Sequence, residues 1–124
     1  MSYAQRLTVA VTTASDGAAT AYSDRIDYGL LSQIRYVKTD FADGSTITIT
    51  AEATGETLWT EAAVNSSATR APRQATHSTA GAAALYAAGG AAVNDKIAIV
   101  NDRIKIVIAS GGSVKSGTFH FVLV

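Results

Sequence analysis

Between residues 102 and 124 apolar and polar side chains alternate with period two, and this constrains the fold more than any other stretch. Ile104, Ile106 and Ile108 point to one side, and Arg103, Lys105 and Val107 to the other. After a Gly/Ser connection at residues 110–117, Phe119, Phe121 and Leu123 again share one side. Such alternation in β-branched and aromatic residues marks half-buried strands, and the intervening glycines predict a hairpin. Burying each of these side chains yields roughly 1.5–3 kcal/mol, whereas ordering each backbone unit costs about 1–2 kcal/mol. Only every second side chain is buried, so a lone hairpin breaks even. A second layer has to cover its apolar side.

The rest of the chain supplies that layer. Residues 5–13 alternate with Leu7, Val9 and Val11 on one side. Asp16-Gly17 then predicts a turn into a short return strand ending near Tyr22, an N-terminal hairpin. Residues 29–38 read as a strand whose better core side is Leu30, Ser32, Ile34 and Tyr36. Residues 46–52 alternate strictly, with Ile47 and Ile49 inward, and Thr54-Gly55 turns the chain into residues 56–60. Trp59, the one tryptophan, belongs in the core or under a loop crossing.

Residues 65–79 break the pattern. They hold the one proline, Pro72, between Arg70 and Arg73, together with Ser66, Ser67 and His77. A connection this long in a small chain is usually a binding or functional loop. Ser78-Thr79 then offers a cap for a short helix over residues 82–88, closed by Gly89-Gly90. That helix is marginal unless Leu85 and Tyr86 pack on a sheet. Residues 96–100 form a further strand before Asn101-Asp102. About eight short strands, no βαβ alternation and at most one short helix predict an all-β chain. Its architecture is a single antiparallel β-sandwich or jelly-roll-like domain over residues 1–124.

Composition narrows the function. Lys+Arg and Asp+Glu are both 10, so the net charge is zero, which argues against a nucleic-acid binder that neutralises phosphates. Charged residues are 16%, against about 25% in an ordinary globular domain. A surface so thinly charged fits a protein packed against neighbours, and equally a plain Ala/Thr-rich β domain. Without cysteine there is no disulfide framework and no thiolate metal site. The Met1 end carries Arg6 and alternation rather than a leader pattern, and no run reaches the roughly 18 apolar residues of a membrane helix. A soluble protein made in the cytoplasm, binding neither nucleic acid nor membrane, is the expectation.

Residues with chemical potential are few. Asp40, Asp43 and Gly44 share a loop but lack the further ligands and the closing Glu of a calcium loop. His77 lies in the long loop, and His120 alternates with Thr118 and Val122 on the last strand, where an outward position or a subunit contact suits it better than catalysis. Ser110-Gly-Gly-Ser113 lacks the Gly-Lys-Ser/Thr ending of a phosphate loop. Asn65-Ser66-Ser67 is a glycosylation sequon with no secretory signal to use it. No catalytic residue, cofactor or metal is expected. Arg70, Arg73 and Lys115 make either a weakly basic rim or ordinary solubilising charge; the planar forks of Arg70 and Arg73 suit a partner's carboxylates. Val122 and Val124 make the second side of the last strand apolar too, so that strand is either central or covered by another subunit.

Several segments in order carry a resemblance: Ser15-Asp16-Gly17 with Ala21-Tyr22-Ser23, the strand from Gly29 to Lys38, and residues 46–55 with Thr57-Leu58-Trp59. Ala71-Pro72-Arg73, residues 80–86 and Asn94-Asp95-Lys96-Ile97 follow. Asp102-Arg103-Ile104-Lys105 and Ser116-Gly117-Thr118 complete the set. Over nearly its whole length the chain resembles small virion structural proteins of tailed bacteriophages and prophages. The resemblance implies a β-sandwich or jelly roll assembled in many copies, most naturally a head decoration or cement protein clamping major capsid subunits, with no catalytic residues. The expected contacts are Arg70, Arg73, His77, His120, Val122 and Val124, with a homo-oligomer on the virion. A neck, tail or fibre-associated protein is the alternative within that class. A carbohydrate-binding module, stacking sugars on Trp59, Tyr22, Tyr28 or Tyr86, is the alternative outside it.

Overall fold

A computed structural model describes residues 4–124, so the Met1 end begins outside the described residues. The chain forms β1 (Gln5–Thr12), β2 (Ala19–Tyr22), β3 (Ile26–Lys38), β4 (Ser45–Ala51) and β5 (Thr57–Val64). β6 (Ala68–Arg70), β7 (Gln74–Ala75), β8 (Asn94–Asp95), β9 (Ile97–Asp102), β10 (Ile104–Ala109) and β11 (Ser116–Leu123) follow. Two antiparallel sheets make a sandwich. The first runs β1–β11–β3, and the far edge of β3 is shared by β9 along its first half and β6 along its second. The second sheet runs β2–β10–β4–β5. β7 and β8 pair apart from both as a small ribbon.

Two expected hairpins are absent. β10 pairs with β2 and β4, whereas β11 pairs with β1 and β3. β1 and β2 likewise belong to opposite sheets. The reason is that alternation fixes which side of a strand is buried, not which strand lies beside it. Ile104, Ile106 and Ile108 therefore meet Phe119, Phe121 and Leu123 through the interior, all of them fully buried. The two crossovers are tied together where they leave the sheets. Gly111 N donates to Gly17 O at 2.9 Å, and Thr13 Oγ1 donates to Gly112 O at 2.6 Å. Only β4 and β5 form the tight hairpin the sequence predicts, with Gly55 at φ 75 in the turn.

Tyr36 stacks between Phe119, with centroids 5.0 Å apart, and Phe41, at 6.0 Å. A Cβ on Gly117 would come within 2.7 Å of Phe41, so glycine is what lets β11 pass this cluster. Leu58 and Trp59 are both buried because the β4–β5 register slips between Ile49 and Thr50, turning two successive side chains inward.

β3 differs from its expected pattern. Val122 faces Gln33 but Leu123 faces Leu31, so Ser32 is an extra residue, a β-bulge. The bulge reverses parity: Leu31, Ile34 and Tyr36 are in the core, while Leu30 turns to the outer face and Ser32 is half-buried. The expected helix at residues 82–88 is also absent, and the described residues contain no helix at all. Leu85 and Tyr86 find no sheet to pack on and stay exposed, which leaves a single helical turn without a stabilising face.

Candidate partner-binding surface

The bulge in β3 marks the place where its edge partner changes from β9 to β6. From this gap the chain leaves the sandwich at Ala71 and returns at Lys96, building an arm. At its base Gln74 pairs with Asp95 and Ala75 with Asn94. Beyond the base, three backbone hydrogen bonds close a ring. Thr76 N donates to Val93 O at 2.8 Å, Val93 N to Ala84 O at 3.0 Å, and Ala84 N to Thr76 O at 3.0 Å. Two tight lobes spring from this junction. One is closed by Ser78 N on Ala82 O at 2.8 Å, the other by Tyr86 N on Ala91 O at 3.1 Å. Residues 74–94 contain no Lys, Arg, Asp or Glu. Leu85 is 43% and Tyr86 76% exposed.

The outer face of the first sheet is graded along the strands. Toward one end Thr8, His120, Arg35 and Thr69 form a polar row across four strands. Thr8 Oγ1 lies 3.2 Å from His120 Nδ1, and Arg35 Nη1 donates to Thr69 Oγ1 at 3.1 Å. Toward the other end the face turns apolar: Leu30 sits between Val124 and Ala98, and Tyr28 lies opposite Val100. Tyr28 is 54% and Val100 59% exposed, while Leu30, Val122 and Val124 are half-buried. β11 is therefore a central strand, covered on its Phe side by the sandwich and lying on the open face with its Val side.

The six residues expected to make contacts divide into three places. Val122, Val124 and His120 lie together on the outer face. His77 is exposed in the first lobe of the arm, bridged to Ala83. Arg73 and Arg70 both serve the chain itself. Arg73 Nη1 donates to the carbonyls of Ser32, at 3.0 Å, and Pro72, at 2.9 Å. Arg70 makes a forked pair with Glu61, Nε to Oε1 at 2.8 Å and Nη2 to Oε2 at 2.9 Å. Its guanidinium stands 5.7 Å from the Trp59 ring centre, and Trp59 Nε1 donates to Glu61 Oε1 at 3.2 Å. The hydrogen bond from Arg70 holds the Glu61 carboxyl below its ordinary range, against a smaller opposing effect of burial.

Leu30, Ala98 and Val100 were not singled out by the sequence as contacts. The signal was present in β9, where Ile97 and Ile99 claim the inward side and Val100 is left facing out. Trp59, only 8% exposed, is not available as a stacking platform, and Arg103 lies 3.9 Å over the Tyr22 ring. Tyr28 and Tyr86 are open, but one lies on the sheet and the other on the arm.

Two open clefts of about 490 Å³ complete the surface. One is walled by Arg25, Glu52, Asp102 and Arg103, the other by Arg35, Glu61, Asn65 and Arg70. In each, the facing charges already pair with one another, Arg103 with Glu52 and Arg70 with Glu61. The loop carboxylates are engaged as well: Asp40 accepts from Ser116 N at 2.6 Å and Asp43 from Lys38 Nζ at 2.8 Å.

No protein-family model and no curated protein matches the chain. Solved structures give distant likenesses. The crystal structure of FLHE aligns over 98% of this chain and 98% of its own, with 9% identity and a TM-score of 0.47. An exo-β-1,3-galactanase from Phanerochaete chrysosporium, crystallised with galactose, aligns over 97% of this chain but 27% of its own, with 12% identity and a TM-score of 0.35. The structure of the infectious bursal disease virus Gx strain aligns over 95% and 32%, with 13% identity and a TM-score of 0.26. With TM-scores of 0.47 and below, the sandwich stands on its own strand pairing.

Proposed function

We propose that this chain is a non-enzymatic structural protein of a tailed-bacteriophage virion, a decoration or cement protein that binds and stabilises the lattice of major capsid proteins. It is made in the host bacterial cytoplasm and carried on the particle in many copies. One observation carries the reading: a firmly packed sandwich presents an exposed arm, charge-free over residues 74–94, next to an apolar end of its outer sheet face. Exposed apolar surface of this kind marks an interaction site on a soluble protein. The resemblance to small virion proteins supplies the setting. Capsids prepared with and without the protein test it. The reading predicts binding in hundreds of copies and higher resistance to heat; unchanged resistance with no binding contradicts it. A copy number of a few to a dozen per particle would instead assign the chain to a neck, tail or fibre.

A further inference from the structure

The geometry points to the partner of the arm: a second copy of this chain, whose apolar sheet face, built from Tyr28, Leu30, Val100 and Val124, receives the second lobe, which carries Leu85 and Tyr86. Within one chain the two surfaces leave each other open, since Tyr86 is 76%, Val100 59% and Tyr28 54% exposed.

Two features select a sister molecule. The first is charge. Residues 74–94 of the arm carry no lysine, arginine or carboxylate and gain nothing from a charged surface, and the Tyr28/Leu30/Val100/Val124 face is the matching uncharged patch on the same molecule. The second is position. The arm springs from the gap between β6 and β9, and β9 itself carries Val100 and Ala98. A two-fold axis along this edge sets each arm over the other copy's face, the self-complementary arrangement of a closed pair.

The ring of hydrogen bonds joining Thr76, Ala84 and Val93 gives the arm a defined shape for this contact. Its alanines and glycines leave little side chain to hold the backbone away from a sheet face. The inference goes beyond the structural reading above by naming both surfaces, and it needs no capsid. If self-association fails while particle binding holds, the inference falls and the virion reading stands.

Because the chain has no cysteine, two single variants give a direct test. Tyr86→Cys and Val100→Cys proteins are mixed in equal amounts and joined with a short bismaleimide, each labelled by a different tag. Arm-on-face pairing predicts that Tyr86–Val100 links between chains outnumber both kinds of like-with-like link several-fold. Tyr86→Asp and Val100→Asp should each weaken association in sedimentation by about tenfold or more, with Trp59 emission unchanged as the folding control. Predominantly like-with-like links, or a wild-type protein that sediments as a monomer at the highest concentration reached, would overturn the inference.

Discussion

Arg73 Nη1 donates to the carbonyl oxygen of Ser32 at 3.0 Å, and Ser32 is the extra residue in the β3 bulge. One guanidinium thus occupies a carbonyl that the broken ladder leaves over, at the point where the arm leaves the sandwich. Bulge, change of edge partner and arm exit are a single local feature.

Arg73→Ala should therefore loosen the arm without harming the core. The expected loss is about 0.5–1.5 kcal/mol, the usual net worth of one such hydrogen bond. Limited proteolysis should cut faster within residues 73–79, while the near-ultraviolet signal of the body stays the same. Equal cleavage rates in variant and wild type would show that the clamp is incidental.

The Arg70–Glu61 pair leads to a pH dependence. Glu61 titrates below its ordinary range in the folded chain, chiefly through the hydrogen bond from Arg70. Its contribution is complete above the ordinary carboxylate range and fades as pH falls through the lowered value. Both side chains remain more than a third exposed, so solvent screening holds the coupling to about 0.5–1 kcal/mol. A double-mutant cycle of Glu61→Gln and Arg70→Met should recover that coupling at pH 7 and show it shrinking as the pH is taken down through and below the ordinary carboxylate range. Arg70→Met should also open one face of Trp59 and shift its emission to the red.

Tyr36 carries the one buried side-chain polar atom among the described residues that lacks a hydrogen-bond partner. Burial pushes its hydroxyl up to about 12. The folded chain holds this proton more tightly than the unfolded one, so the contribution is whole below pH 10 and is lost as pH rises from 10 toward 12. Tyr36→Phe keeps the stacking with Phe41 and Phe119 and removes the orphaned hydroxyl. It should raise stability by about 1 kcal/mol at pH 7, with a larger gain at pH 11. A destabilised variant would mean that the hydroxyl has a partner in solution.

The burial pattern of the sandwich was legible in the sequence, and its connectivity was not. Period-two alternation placed Ile47, Ile49, Ile104, Ile106, Ile108, Phe119, Phe121 and Leu123 inward, as found. The same pattern suits a hairpin and a pair of strands facing across the core, which is why it suggests pairing β10 with β11 and β1 with β2 where the structure sets each pair in opposite sheets. The β3 bulge hid Leu31 because a single extra residue exchanges the two faces. Alanine-rich residues 80–88 favour helix locally, but they lack an apolar stripe to dock, and backbone pairing with residues 76 and 93 wins. Of the expected contacts, Val122, Val124 and His120 do share an open face, whereas Arg70 is held by Glu61 inside its own chain.

Removal of the arm should leave the body folded. Gln74 and Asp95 are paired neighbours, so a two-residue Asn-Gly turn can replace everything between them, residues 75–94. No buried core residue lies within the excised stretch. The thermal midpoint should change little, and the truncated protein should lose its self-association. Collapse of the folded state would instead make the arm a structural member of the sandwich.

The central claim is that residues 74–95 and the Tyr28/Val100 face are contact surfaces rather than solvent surfaces. Ordering each residue of the arm costs about 1–2 kcal/mol, with almost no buried side chain to offset it. Amide hydrogen exchange at Thr76, Ala84 and Val93, followed from dilute to concentrated protein with Ile106 as reference, tests this most directly. The account predicts protection of these ring amides well below that of Ile106 in dilute solution, growing with concentration as the arm is covered by a second copy. Protection of these three amides that is strong in dilute solution and independent of concentration would contradict it.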